Sequence, residues 1–285
     1  MSDIVLPYNL KEEVHRRLDI FEGLLPELRR ILLEIQQEED LHIQYKSSDV
    51  DLVTKADYLS ESTIIHFLQT KFPMDSILTE ESGRKEPIIN NTNLINMVSS
   101  KFTWCIDPLD GTVNYSHRIP LYAISVGILY EDLPVGGLVF IPTFNDVYRA
   151  VYNDGAYKNH KQIHVSETSD LRKSIIVTGF PYKRDHLMKK LTSSFQKVLK
   201  NTRGLRRTGS ASLDLCWLAE GRFDAHYEWN LSAWDTAAGI VIVREAGGIV
   251  INQNKKQYQP GDELLIATNK NIHVEFTKLI LEDIE

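Results

Sequence analysis

Trp104-Cys105-Ile106-Asp107-Pro108-Leu109-Asp110-Gly111-Thr112 reads as a strand that runs into an acidic turn. Trp104 and Ile106 alternate with Cys105 and Asp107 at the two-residue period of a strand. Pro108 has no N–H and holds Asp107 extended, so the spacing predicts that the strand stops there. Two aspartates three residues apart in such a turn can point to one spot, and the Leu109 carbonyl between them can join as an oxygen ligand. Gly111 lets the backbone come close to a ligand. The N–H groups of Gly111 and Thr112 at a following helix start would form an anion site. Hard oxygen donors beside a phosphate cradle suit Mg²⁺. Taken alone, the stretch is equally a DPxDG turn whose aspartates cap a helix or make Asx turns.

Outward from this turn, three further acidic stretches stand out. Thr79-Glu80-Glu81-Ser82 follows the strand-like Ser76-Ile77-Leu78, and paired acids there repel unless a cation or solvent relieves them. Trp234-Asp235-Thr236-Ala237-Ala238-Gly239 puts Asp235 at a helix start, as an N-cap, a metal ligand or both. Asp51-Leu52-Val53-Thr54-Lys55-Ala56-Asp57 does the same for Asp57. Lys46 and Lys55 read by themselves as solvated lysines.

Around these stretches, Val14, Leu18, Phe21, Leu25, Leu28 and Leu32 recur at helical steps over residues 10–35, as one helix or two broken near Pro26. A second amphipathic helix is predicted over 57–72 and a mobile loop over 82–93. Strands are predicted at 103–107, 123–130, 135–141 and 147–151, with a turn at Asn153, Asp154 and Gly155. Beyond Ser166 strands at 175–178, 225–227, 249–252 and 264–268 alternate with helices at 186–199, 209–219, 236–245 and 272–284. The expectation is two α/β lobes, residues 1–165 and 166–285, the first with most of the acidic ligands and the second with the substrate side.

The 285 residues suffice to bury a core without staples. Composition is that of a soluble globular protein, 42% hydrophobic and 25% charged, which excludes whole-chain disorder, collagen and coiled coil. A net charge of −7 gives no footprint for nucleic-acid or anionic-membrane binding. Cys105 and Cys216 belong to no CxxC, and no paired-His zinc spacing, GxSxG or GxxxxGK[ST] occurs. The N-terminus has no basic segment followed by an apolar one, and no run could cross a bilayer, so a cytoplasmic location is expected.

In order, DLVTKAD, LTEES, WCIDPLDGTVNY, GAYKNHKQIHVS, RRTGSASLDLCWLAEGRFDAHYE and WDTAAGIVIVREAGG resemble the inositol monophosphatase family, within the lithium-sensitive phosphatase superfamily. The resemblance runs from about Lys46 to Thr268. It implies an αβαβα sandwich of the inositol monophosphatase and fructose-1,6-bisphosphatase type, usually a homodimer. It implies a hydrolase that uses two or three Mg²⁺ ions per site, with Mn²⁺ as a substitute, and that is sensitive to lithium. Carried over, Glu80, Asp107 and the Leu109 carbonyl would hold one ion, and Asp107, Asp110 and Asp235 another, with Glu80 also available to a third. Asp57 and Thr112, with Glu80, would orient and deprotonate the attacking water. Asp110, Gly111 and Thr112 would meet the phosphate. Gly209, Ser210, Ala211, Glu228 and Asp235 would line the substrate, and Lys46 would lie near the outer metal. Thr79 stands where the family commonly has Gly, which bears on the path of that loop.

The expected reaction is release of phosphate from inositol monophosphate or a related polyol or sugar phosphate. Fructose-1,6-bisphosphate, NADP(H), histidinol phosphate and 3′-phosphoadenosine 5′-phosphate are alternatives within the same chemistry. A regulatory binding protein on the same fold is an alternative of another class. Arg203, Arg206 and Arg207 form its small basic cluster, which otherwise reads as a solvated helix flank.

Overall fold

The computed structural model describes residues 9–46, 52–87 and 100–282. Asp51 and the second half of the segment expected to be a mobile loop lie outside them. The N-terminal periodicity resolves into two helices, α1 (Leu10–Glu22) and α2 (Leu25–Gln36), with Pro26 in the first turn of α2, where its missing N–H costs nothing. A short hairpin, β1 (Gln44–Tyr45) with β2 (Leu52–Val53), leads to α3 (Lys55–Lys71).

Among the described residues one sheet has eight strands. In chain order these are β3 (Ser76–Thr79), β4 (Gly83–Lys85), β5 (Phe102–Asp110), β6 (Ala123–Tyr130), β7 (Leu133–Ile141), β8 (Asp146–Val151), β9 (Ala156–Lys158) and β10 (Lys161–Ile163). Their spatial order is β10-β9-β8-β7-β6-β5-β3-β4, antiparallel except for the parallel pair β3 and β5. Two expectations need correction here. The segment read as loop from Ser82 begins with β4, which pairs Lys85 with Ile77 although its own residues are polar. β5 also continues past Pro108, because pairing with β6 resumes at Asp110 opposite Ala123.

The second sheet has five strands in the order β12-β11-β13-β15-β14. They are β11 (Ile175–Thr178), β12 (Gly204–Arg206), β13 (Ala225–Trp229), β14 (Ile249–Ile251) and β15 (Leu264–Thr268). β12 corrects the reading of the arginine cluster as a helix flank: Arg206 lies in an edge strand. The helices are α4 (Thr112–Ser116), α5 (Met188–Asn201), α6 (Ala211–Ala219), α7 (Ala233–Glu245) and α8 (His273–Leu281).

Five layers follow from which face each strand buries. Trp104, Ile106, Ile124, Val126 and Leu138 point to α1, α2 and α3 and share one core with Leu18, Phe21, Leu28 and Ile64. On the other face Val139, Tyr148 and Ala150 meet Leu213, Ile240 and Val241 of α6 and α7, which also bury Val177, Leu265 and Ala267 of the second sheet. The far face of that sheet, through Ile176, Tyr227 and Ile266, is covered by Leu191 and Val198 of α5 and by Phe276 of α8. The architecture is an αβαβα sandwich. Cys105 and Cys216 are both buried and unpaired. No helix among the described residues is long and apolar enough to cross a membrane.

Candidate active site

Residues three apart on a regular strand point to opposite faces. Asp107 pairs with Ser125 and Asp110 with Ala123, so β5 holds one more residue than β6 between these points. This one-residue bulge turns both aspartates to the same side. Asp107 Oδ1 accepts from the Leu109 N–H at 2.9 Å, and the Pro108 carbonyl accepts from the Ser60 hydroxyl of α3 at 2.9 Å. Gly111 then takes φ +98°, and a Cβ there would lie 3.0 Å from the Leu121 carbonyl oxygen. Only glycine serves this turn without strain. Thr112 opens α4 directly after it.

The Thr112 hydroxyl donates to Asp57 Oδ1 at 2.9 Å and lies 3.1 Å from the Leu109 carbonyl oxygen. Asp57 is the third residue of α3, not its cap. Its Oδ2 accepts from the Thr54 N–H at 2.7 Å and from the Thr54 hydroxyl at 2.6 Å, a capping box. Burial pushes the Asp57 carboxyl up to about 6, against the hydrogen bonds from Thr54 and Thr112.

Asp235 has the same position in α7. It is third in the helix, and its Oδ2 accepts from the Ser232 N–H at 2.7 Å. Helix α7 reaches the end of β5 because the sheet beneath it is bare. A Cβ on Gly127 would lie 2.5 Å from Ala237 Cβ, and one on Gly137 2.4 Å from the Ala238 carbonyl oxygen. Asp110 is tied to the start of α6, since its Oδ2 accepts from the Ser210 hydroxyl at 2.7 Å and the Ser212 N–H at 2.7 Å.

Glu80 is held from outside the cluster. Lys46 Nζ lies 2.8 Å from Glu80 Oε1 and also bonds Glu81, so neither lysine nor acid pair is simply solvated. Burial pushes Glu81 up to about 7, opposed by Lys46 and assisted by repulsion from Glu80. Thr79 earns its place in this turn: its hydroxyl bonds the buried Glu61 of α3, whose Oε1 also accepts from the Ser82 N–H at 3.0 Å. Glu61 therefore grips both flanks of the Glu80-Glu81 pair.

These groups line one cavity of about 370 Å³. Glu80, Asp107, Leu109, Asp110, Gly111, Thr112 and Asp235 form one part of its wall, and Gly209, Ser210, Ala211 and Glu228 another. Asp57 stands behind Thr112. Burial raises Asp107 and Asp235 well above the usual carboxylate range, and repulsion within the set adds to it: Glu80, Asp110 and Asp235 act on Asp107, and Asp110 and Glu80 on Asp235. Among the described residues no three such side chains already stand as a preset metal-binding group. Lys46, the α6 serines and Ser232 hold several of the oxygens instead. The donor set itself fits a hard divalent cation, being all oxygen, buried and self-repelling.

Glu228 is not a surface charge at a strand end. It is buried on β13, and His226 Nε2 lies 3.1 Å from its Oε2. Three lining or contacting residues, Ser212, Asp214 and His226, are given no role by the sequence reading, and Arg207 enters it only as part of the basic cluster. Asp214 accepts from the Thr208 hydroxyl at 2.6 Å inside the cavity wall, and Arg207 stands at the mouth. The pairing of β12 with β11, the packing of α6 and the face of β13 bring them there; all four stand inside the stretch RRTGSASLDLCWLAEGRFDAHYE, but the stretch by itself gives Ser212, Asp214 and His226 no place in the site.

The family model for the inositol monophosphatase family matches residues 19–285. The chain is 40% identical over 238 residues to an inositol-1-monophosphatase of Synechocystis, covering 84% of this chain and 79% of that one. It is 38% identical over 232 residues to a putative Nus factor SuhB of Neisseria meningitidis, covering 81% and 84%. The solved structure of the extragenic suppressor protein SuhB from Bartonella henselae superposes with a TM-score of 0.85 at 28% identity, covering 94% of this chain and 99% of that one. With most of its length matched and its sandwich shared, the chain belongs to the inositol monophosphatase family of phosphatases.

Proposed function

We propose that the chain is a Mg²⁺-dependent phosphomonoesterase that releases phosphate from inositol monophosphate or a related polyol or sugar phosphate. The observation that carries this reading is the Thr112 to Asp57 hydrogen bond beneath a cavity into which Glu80, Asp107, Asp110 and Asp235 converge. Glu80, Asp107, Asp110, Asp235 and the Leu109 carbonyl would hold the metal. Mg²⁺ there supplies charge neutralisation on the phosphoryl group and a water acidified toward neutrality. Thr112 Oγ1 takes the proton of the attacking water as its own proton passes to Asp57 Oδ1. Gly111 and Thr112 present N–H groups to the phosphate oxygens. Asp235 lies on the leaving-group side, and displacement is in line without a phosphoenzyme. Glu228 accepts hydrogen bonds from substrate hydroxyls.

A phosphate-release panel tests this. Inositol monophosphate, fructose-1,6-bisphosphate, NADP⁺, histidinol phosphate and 3′-phosphoadenosine 5′-phosphate are compared with Mg²⁺, with Mn²⁺ and with added Li⁺. The highest kcat/KM is expected on inositol monophosphate with Mg²⁺, with loss of rate in Li⁺. No turnover on any ester in Mg²⁺ would reject the reading. A cytoplasmic homodimer is proposed with it, checked by fractionation and sedimentation. The relatives named Nus factor SuhB favour one second reading, a transcription-factor role. It predicts co-purification with transcription proteins that survives loss of Asp107.

A further inference from the structure

We infer that His226 is a positioning residue for substrate recognition: it fixes the Glu228 carboxylate so that one oxygen is left to take a hydroxyl of the substrate. The inference rests on the polyol-phosphate reading above and adds a residue to it. His226 and Glu228 are two apart on β13, so both side chains leave the same face of the strand. That face turns toward α6 and the cavity, while Tyr227 and Trp229 point to the opposite core. His226 is wholly buried, and its Nε2 lies 3.1 Å from Glu228 Oε2. Its Nδ1 is also buried and has no partner among the described residues.

This asymmetry sets the roles of the two ring nitrogens. A carboxylate oxygen accepts, so Nε2 is the donor to Oε2. Nδ1 is the ring nitrogen left without a partner. No other side chain bonds Glu228 among the described residues. Gly179 at the end of β11 leaves the room the carboxylate occupies, because a Cβ there would lie 2.0 Å from Oε1. The acid is thus backed by a glycine on one side and an imidazole on the other, and Oε1 is the oxygen without a donor. A carboxylate held in this way meets an incoming hydroxyl without first giving up rotational freedom.

The test uses two substrates of the whole enzyme. Inositol monophosphate offers ring hydroxyls, whereas p-nitrophenyl phosphate offers none. His226→Phe is expected to raise KM for inositol monophosphate about tenfold or more, the worth of one hydrogen bond to a charged group. Its kcat on p-nitrophenyl phosphate should stay within about twofold. His226→Gln, which keeps an N–H donor, should recover most of the loss. In a Glu228→Ala background, which removes the acceptor, His226→Phe should cost little more, since the histidine acts through the acid. His226→Leu is made in parallel, so that whichever apolar variant melts like the wild type supplies the reading. Equal losses on both esters, additive effects with Glu228→Ala, or an unchanged KM in a folded variant would each overturn the assignment. A wild type that cleaves both esters with equal efficiency would instead strike at the polyol reading itself, and the histidine proposal would fall with it.

Discussion

The Thr112 hydroxyl donates to Asp57 at 2.9 Å across 55 positions of sequence, joining the first turn of α4 to the first turn of α3. Asp57 is also spoken for on its other oxygen by Thr54. The acid therefore presents one defined oxygen to one hydroxyl, the arrangement a proton relay requires. Thr112→Val keeps the shape and removes the relay. We expect kcat to fall about 10²- to 10⁴-fold with KM little changed. Asp57→Asn should match it in rate, because an amide oxygen can still accept from Thr54 but takes no proton. Steady-state phosphate release on both variants checks this, and a kcat within threefold of wild type (about 0.6 kcal/mol) would remove the relay.

The clustered acids make a prediction about pH. Asp107, Asp110 and Asp235 are all raised in the folded chain, burial first and, for Asp107 and Asp235, mutual repulsion next. Without metal the folded state keeps protons that the unfolded chain has released. Their stabilising effect is full below the ordinary aspartate value near 3.8 and is lost as pH rises through the raised values. A divalent metal held by these oxygens would compete with the protons and need the acids deprotonated. The rise in Tm on adding millimolar Mg²⁺ should thus be larger at about pH 8 than at about pH 5.5. Differential scanning in EDTA and in Mg²⁺ at both pH values measures it. An equal shift at both would contradict the arrangement.

Asp107→Asn separates the fold from the chemistry. The amide oxygen can still accept from the Leu109 N–H, so the bulge keeps its internal bond. One of the mutually repelling charges is gone, so the metal-free variant should melt no lower than the wild type. Turnover should nearly vanish, and the Mg²⁺-induced gain in Tm should shrink with it. Wild-type phosphate release from this variant would refute the ligand set.

Much of this was legible in the chain, for reasons that can be named. Trp104 and Ile106 alternate with Cys105 and Asp107 because the sheet is covered differently on its two faces, and period two survives any neighbour. The two N-terminal helices carry their own periodicity. What the sequence hides is what only pairing creates. β4 is Gly-Arg-Lys and β12 is Gly-Leu-Arg, and each becomes a strand through its partner, β3 and β11. Pro108 reads as a stop, yet the bulge opposite β6 lets the strand resume and decides that Asp107 and Asp110 share a side. His226 and Ser212 stand inside a stretch that resembles the family, but the stretch itself gives them no role. Their place in the site depends on which face of β13 and which end of α6 meet the cavity. Asp57 and Asp235 look like caps, and both do serve their helix starts while Asp57 meets the Thr112 hydroxyl and Asp235 lines the cavity.

The closeness of α7 to the sheet is the last feature that can be tested directly, because three neighbouring glycines face different layers. Gly127 and Gly137 face α7, where a Cβ would lie 3.0 Å from the Ala237 carbonyl carbon and 2.8 Å from Ala238 Cα respectively. Helix backbone cannot rotate aside, so α7 must retreat, and Asp235 rides on it two residues before Ala237. Gly136 faces the opposite layer, where a Cβ would lie 2.4 Å from Val14 Cγ1 on α1. All three alanine variants should lose about 1–3 kcal/mol of stability to overpacking. Only Gly127→Ala and Gly137→Ala should also raise the Mg²⁺ concentration needed for half-maximal rate. Gly136→Ala should keep that midpoint, since α1 touches none of the acids that converge on the cavity. If all three variants shift the Mg²⁺ midpoint equally, the effect is general loosening, and the depth of α7 in the sheet does not set the position of Asp235.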